Sequence, residues 1–166
     1  MKIHNKILLA ALVMLLLVTT GCFGDPVKSD LEEYLNFEMS NQSEMQDISL
    51  DMIGNMGGAI QSKDQLVNWM NNAKVKLVNV TEKQKAYQPK TKEVQDIHAK
   101  ELKMLDLSME TFDQMLTMVN SNTPPSKETL NGLIQKQQEI VKLAQEYQKD
   151  LKTLGEQKKV EVKLKF

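Results

Sequence analysis

His98 and Glu101 stand three residues apart in the stretch EVQDIHAKEL. On a helix that spacing places an imidazole and a carboxylate on one face, one turn apart, and such a pair has the chemistry to ligate a metal. A di-iron bundle needs a Glu-x-x-His pair from each of two helices plus further carboxylates. The chain has two histidines, and the other is His4, so carboxylates alone would have to complete a zinc site around His98. His98 is therefore expected to be a partnered residue at a bundle edge, and no metal ligands are assigned.

Eleven methionines suggest a second chemistry, because thioether sulfur suits Cu(I). Met52 with Met56, and Met115 with Met118, have helical spacing. Most methionines also fall on or beside the apolar seams described below, where Met is ordinary core filler. Nucleophilic catalysis lacks parts: neither Ser-x-x-Lys nor Gly-x-Ser-x-Gly occurs. The stretch GNMGG lacks the Lys and the preceding strand of a phosphate-cradling loop. Glu32 and Glu33 are adjacent and diverge on a helix, so they make no catalytic carboxylate pair. The expectation is a protein that is not an enzyme and carries no cofactor.

The remaining reactive side chain is Cys22, the single cysteine, in LLLVTTGCFGDP. One cysteine excludes an intramolecular disulfide. Lys2 and Lys6 precede an apolar run from Ile7 to Val18, and Thr19, Thr20 and Gly21 lead to Cys22. Twelve apolar residues span roughly 18 Å as a helix, short of the ~30 Å hydrocarbon core. A basic start, a short apolar region and small residues before a cut are the marks of a secretory signal.

This segment resembles the signal of bacterial lipoproteins, in which a small or aliphatic triplet ending in Gly or Ala precedes the cysteine. The resemblance covers residues 1–22 and implies cleavage between Gly21 and Cys22, with a diacylglyceryl group on the Cys22 thiol. Thr19 stands where that family usually has Leu. An uncleaved anchor over Ile7 to Phe23, and a conventional signal peptide leaving a free thiol, are the competing readings. The implied location is the outer face of the cell membrane, where two acyl chains hold stably.

The elements that follow must carry whatever the protein does. Lys, Gln, Met, Leu and Glu, all good helix formers, dominate the composition. Aromatic residues, at 5%, are too few for a usual β-sandwich core. Asp25 and Pro26 read as an N-cap and first helical position, opening a helix to about Met56. Its seam is Val27, Leu31, Tyr34, Met45, Ile48, Met52 and Met56, with Glu38 and Asn41 as polar members. Gly54, Gly57 and Gly58 end it.

Ser62 with Gln65 reads as a capping box for a second helix, whose seam is Leu66, Met70, Ala73, Leu77, Val80, Gln84 and Tyr87. Pro89 makes either a turn or a kink, with the turn preferred. A third helix from about Thr91 to Asn120 carries Val94, Ile97, Glu101, Met104, Leu105, Ser108, Phe112, Met115 and Val119. SNTPPSKET breaks the chain. Ser126 then caps a fourth helix along Leu130, Leu133, Ile134, Gln137, Ile140, Val141, Ala144, Tyr147, Leu151 and Leu154, ending at Gly155.

The expected fold is all-α, an antiparallel four-helix bundle, or three long helices if Pro89 only kinks. Residues 1–21 would be signal, 22–25 tether, 26–155 bundle and 156–166 an extended or disordered tail. In that tail KVEVKLKF alternates like a strand but has no partner strand. A disordered or loosely docked tail is preferred over one lying along the bundle or adding to another protein's sheet.

Every basic residue is Lys, and the formal charge is −1, which argues against nucleic acid as a partner. Residues 30–60 hold seven acids and no Lys, whereas residues 149–166 hold six Lys against three acids. Acidic helix one should therefore steer towards Lys-bearing neighbours, and the basic tail could meet an anionic surface. The Lys/Asn/Gln-rich composition suggests a low-GC Gram-positive source. The body, including P-x-T-x-E…I-H over Pro89 to His98, resembles small helical lipoproteins of such bacteria, a group that carries no known activity.

The first functional expectation is a lipid-anchored envelope protein acting by contact, as an adaptor or interaction module. The alternative is a ligand or copper carrier using bundle Met residues and His98. A third reading is a homo-oligomer in which Glu38, Asn41, Gln84 and Gln137 set register.

Overall fold

A computed structural model describes residues 24–54, 62–121 and 123–164, with the side chains of residue 43 and residues 45–54 outside the description. Gly21, Cys22 and the rest of the signal, the seam positions Met45, Ile48, Met52 and Met56, and the glycines at 57 and 58 lie outside the described residues or side chains. The chain is all-α. Its helices are α1 (Pro26–Gly54), α2 (Lys63–Ala86), α3 (Lys92–Asn120) and α4 (Lys127–Lys158).

The starts are set by side-chain caps. Asp25 Oδ1 accepts from the backbone N–H of Val27 at 3.0 Å and of Lys28 at 3.3 Å. Ser62 Oγ accepts from Gln65 N, and Ser126 Oγ from Thr129 N. Each satisfies one or two of the donors that a helix leaves unpaired at its first turn. At Pro89 the chain leaves the helix: residues 87–91 are non-helical, and a new helix begins at Lys92. The turn is therefore realised, and the three-helix arrangement is not.

The helices run up-down-up-down. Lys63 Nζ reaches Asn120 O, joining the start of α2 to the end of α3. Lys85–Asp106 and Lys74–Asp113 then run back along that pair at 3.0 and 2.6 Å. Lys100–Asp150, Lys103–Glu139 and Lys136–Glu110 set α3 antiparallel to α4 in the same way. Helix α3 packs against both α2 and α4, and α1 closes the bundle against all three. Single exposed ion pairs contribute little each, so they record register more than they stabilise it. The acids of α1 do find Lys partners: Glu44 takes Lys83, Glu33 takes Lys90, and Asp25 takes Lys158.

Two apolar clusters fill the interior. One holds Leu31, Tyr34, Leu35, Val94, Ile97, Tyr147, Leu151 and Leu154, at the end where α1 and α3 begin. The other holds Met70, Ala73 and Phe112, with Leu66, Trp69, Leu116 and Val119 against them. Part of the expected α4 seam does not enter either: Leu130, Ile134 and Val141 are exposed, as is Met115 of α3.

Helix α4 does not stop at Gly155. It continues to Lys158, and the left-handed residue that ends it is Lys159, at φ 56° and ψ 42°. Lys159 N donates to Glu156 O, and Val160 N donates to Gly155 O at 2.8 Å. That 5→2 and 6→1 pair is a Schellman closure. It reverses the chain direction and sends the tail back over the bundle.

Residues 160–164, the described part of the tail beyond the helix end, form no strand. Residues 160–164 are extended, with Val160, Val162 and Leu164 packed on the apolar cluster and Glu161 and Lys163 facing out. They lie beside Leu35 and Met39 of α1 and beside Gln148 and Lys152 of α4. The alternation that reads as a strand instead gives a ribbon with one face on the helices. Gly155 is what allows it so close. A Cβ there would stand 2.7 Å from Val162 Cγ2 and 2.9 Å from Val160 O.

Candidate functional site

Between the two apolar clusters the bundle has a polar level. The seam of α1 carries Glu38 and Asn41, that of α2 carries Gln84, α3 contributes His98 and Glu101, and α4 contributes Tyr147. Glu38, Asn41, Gln84 and His98 are all buried. Helical spacing explains each one locally, since Tyr34, Glu38 and Asn41 share the inward face of α1, as His98, Glu101 and Leu105 share that of α3.

These groups form a connected network. Tyr34 Oη donates to Glu101 Oε2 at 2.7 Å and lies 3.1 Å from Tyr147 Oη. Gln84 Nε2 donates to Glu38 Oε1 at 2.9 Å, and the Glu38 and Glu101 carboxyl groups line the same cavity. His98 Nε2 lies 3.0 Å from Gln84 O, which ties α3 to α2. His98 Nδ1 stands 3.4 Å from Glu101 Oε2 without a hydrogen bond. The rings of Tyr34 and Tyr87 meet the His98 imidazole edge-on.

Burial sets the protonation of this level. Loss of water, then the neighbouring Glu101 carboxyl, push Glu38 up to about 9, so it keeps its proton at neutral pH. Burial, followed by the charges of Glu101 and Glu38, raises the Tyr147 phenol well out of its usual range. Tyr34 is raised by burial first and then by Tyr147, Glu101 and Glu38. Both phenols therefore stay neutral and act through their hydroxyl groups.

A cavity of about 200 Å³ opens at this level. Glu38, Asn41, Gln84, Glu101 and Tyr147 form its polar wall, and Val80, Met104, Leu105, Ala144 and Leu164 its apolar wall. Leu164 belongs to the tail, so the returning chain helps shape the opening. Among the described residues no lysine lines the cavity. Two buried atoms in its wall have no hydrogen-bond partner among the described residues, Asn41 Nδ2 and Gln84 Oε1. Orphaned polar atoms at this depth cost roughly 1–3 kcal/mol each, and they mark a place where the helices do not complete their own chemistry.

The sequence-derived candidates are placed as follows. His98 lies in the core and not at the bundle edge, because Gln84 O satisfies its Nε2. Met104 lines the cavity, but Met115 is exposed and Met118 borders a shallow groove with Asp113 and Glu128 at the far end. Gln137 is exposed, so of the four proposed register residues only Glu38, Asn41 and Gln84 meet. Among the described residues no group of three or more His, Cys, Asp and Glu side chains is arranged to hold a metal ion. No described helix is long and apolar enough to cross a membrane. Asp30, buried at 2% exposure beside Lys90 and Thr91, was not a sequence candidate.

No protein-family model matches the chain, no curated protein matches it, and no solved structure matches it.

Proposed function

We propose that this protein is a lipid-anchored extracytoplasmic module that works by contact at the cell envelope rather than by catalysis. The observation that carries the proposal is the order of features at the start of the chain. Basic Lys2 and Lys6, a twelve-residue apolar run and Thr19-Thr20-Gly21-Cys22 are followed within four residues by a capped helix at Pro26. A thioether-linked diacylglyceryl group on Cys22 gives the lone cysteine its use.

Supporting this, the bundle presents an end suited to a membrane surface. Cys22 and Asp25 are three residues apart, a reach of at most about 11 Å. Asp25 is held by Lys158 at 2.8 Å. Lys28, Lys90, Lys92 and Lys159 belong to the same end, where α1 and α3 begin and α4 stops. Lys28, Lys90 and Lys92 are each paired there with an acid, Glu32, Glu33 and Asp96, so attachment would rest on the two acyl chains. At the other end, Leu130 and Ile134 with Val141 make an exposed apolar stripe on α4 for a protein partner.

The test is the intact mass of the native product extracted from membranes, together with its partition between detergent and water. The expected outcome is a chain starting at Cys22 that carries diacylglycerol and enters the detergent phase, with Cys22→Ser found in the soluble fraction as precursor or released protein. An unacylated mass, or release from membranes by salt alone, overturns the proposal.

A further inference from the structure

We propose that the cavity between the helices is a binding site for a small primary ammonium compound with a short aliphatic chain and a neutral oxygen acceptor, the chemistry of an amino alcohol. The site is built from Glu38, Asn41, Gln84 and Glu101.

The argument starts from what the wall offers. Two carboxyl groups, Glu38 and Glu101, face the cavity with no lysine among its described lining residues. Acidic side chains in a low-dielectric wall favour a ligand of positive charge. The acids are not the whole observation. Gln84 Oε1, on a side chain 2% exposed, is an acceptor without a donor, and Asn41 Nδ2, on a side chain 7% exposed, is a donor without an acceptor. Both residues line the cavity.

The ligand class follows from those valences. Three acceptors on three helices suit the three N–H donors of a primary ammonium group. A quaternary ammonium has no donor for Gln84 Oε1. Among the described residues no group of three or more His, Cys, Asp and Glu side chains is arranged to hold a metal ion, and His98 is not one of the residues that line the cavity. Asn41 Nδ2 needs an oxygen on the ligand. A hydroxyl serves, whereas a carboxylate would face Glu38 and Glu101. Val80, Leu105 and Leu164 provide an apolar wall for the chain between the two ends.

Binding should expel a proton. Glu38 is neutral in the free protein for the reasons of burial given above. The titratable groups around it are Tyr34 on α1, Tyr87 after α2, His98 and Glu101 on α3, and Tyr147 on α4. An ammonium placed between Glu38 and Glu101 favours the ionised form of Glu38, so affinity rises with pH below the free Glu38 value. The proposal concerns the cavity alone and holds or fails whether or not Cys22 is acylated.

The test is calorimetric titration of the full chain in detergent with aminobutanol, with butanol and butyrate as the neutral and anionic comparisons. The expected result is saturable one-to-one binding of the amine only. It tightens about a hundredfold between about pH 6 and about pH 8, with close to one proton released as judged from two buffers of different protonation enthalpy. Glu101→Gln and Asn41→Leu each weaken binding by about tenfold or more while helicity is kept. The proposal is overturned by the absence of saturable heat with aminobutanol, by equal binding of butanol, by a pH-independent affinity, or by preferential binding of Zn²⁺ or Ca²⁺. Undiminished affinity in a folded Glu101→Gln variant also overturns it. Should that variant unfold, Asn41→Leu and the ligand series on the unmodified protein decide.

Discussion

Asp30 of α1 holds Thr91, the residue on which α3 begins, through a single carboxylate oxygen: Oδ2 accepts from both the backbone N–H and the hydroxyl of Thr91 at 2.7 Å. Lys90 N donates to the same carboxylate, at 3.1 and 3.0 Å to its two oxygens. Thr91 makes no side-chain cap of its own helix. The turn after Pro89 is thus pinned by an acid 61 positions earlier in the chain. Asp30→Ala should destabilise the bundle by about 3 kcal/mol, because three charge-assisted bonds go and buried donors are stranded. Thr91→Val, which loses only the hydroxyl bond, should cost about 1 kcal/mol. Urea unfolding monitored by helicity checks both, and equal losses would show that the backbone bonds are unimportant.

Glu38 predicts the pH dependence of stability. Its folded value of about 9 stands above the ordinary 4.5. Between those values the unfolded chain has released the proton and the folded chain has kept it, so protons favour folding. The stabilisation by the neutral form is complete below about 4.5 and is lost as pH rises to about 9. The slope contributed by this group approaches, and does not exceed, about 1.4 kcal/mol per pH unit. Glu38→Gln should remove that share of the slope while leaving the bond to Gln84 possible. A variant with an unchanged stability profile from pH 5 to pH 8 (a span of about three units) would place the titration elsewhere.

Gly155 sets two expectations against each other. By helix propensity alone, Gly155→Ala within α4 should stabilise by about 1 kcal/mol. The close approach of Val160 O and Val162 Cγ2 says the added methyl has no room. Because one of these neighbours is backbone inside the Schellman closure, the contact should dominate, and the tail should lift from the bundle. Limited proteolysis or hydrogen exchange across residues 160–164 reads this directly. Faster exchange there with α3 unchanged is expected, and a more stable protein with a protected tail would be the opposite result.

Much of the architecture was legible because it is local. Asp25, Ser62 and Ser126 cap within three residues of themselves, and Pro89 breaks a helix by its own covalent structure. The cavity was only half legible. Glu38, Asn41, Gln84 and Glu101 stand out as polar members of apolar seams, but which of them share a level depends on the register between helices. The Glu38–Gln84 and Tyr34–Glu101 bonds close separations of 46 and 67 residues, and no periodicity within one helix encodes that. Asp30 was invisible for the same reason: an acid near the start of a helix attracts no notice in the residue pattern, and its partners, Lys90 and Thr91, lie beyond another helix. Gly155 misled because a glycine late in a helix usually ends it, whereas here its missing side chain admits the tail.

The fourth helix shows how far seam periodicity carries. Ile134 and Leu151 both belong to its apolar seam, yet Leu151 is 0% exposed and Ile134 is 55% exposed. Leu151 sits among Leu31, Ile97 and the returning tail, and Leu151→Ala should cost about 3 kcal/mol through lost burial and the space left behind. Ile134→Ala removes a side chain that touches mostly water, so it should change stability by less than about 0.5 kcal/mol. Denaturant midpoints of the two variants, measured on the same parent, check the contrast. A large loss at Ile134 would mean that the N-terminal half of α4 is covered in solution, and comparable losses at both would restore the uninterrupted seam that the residue pattern alone suggests.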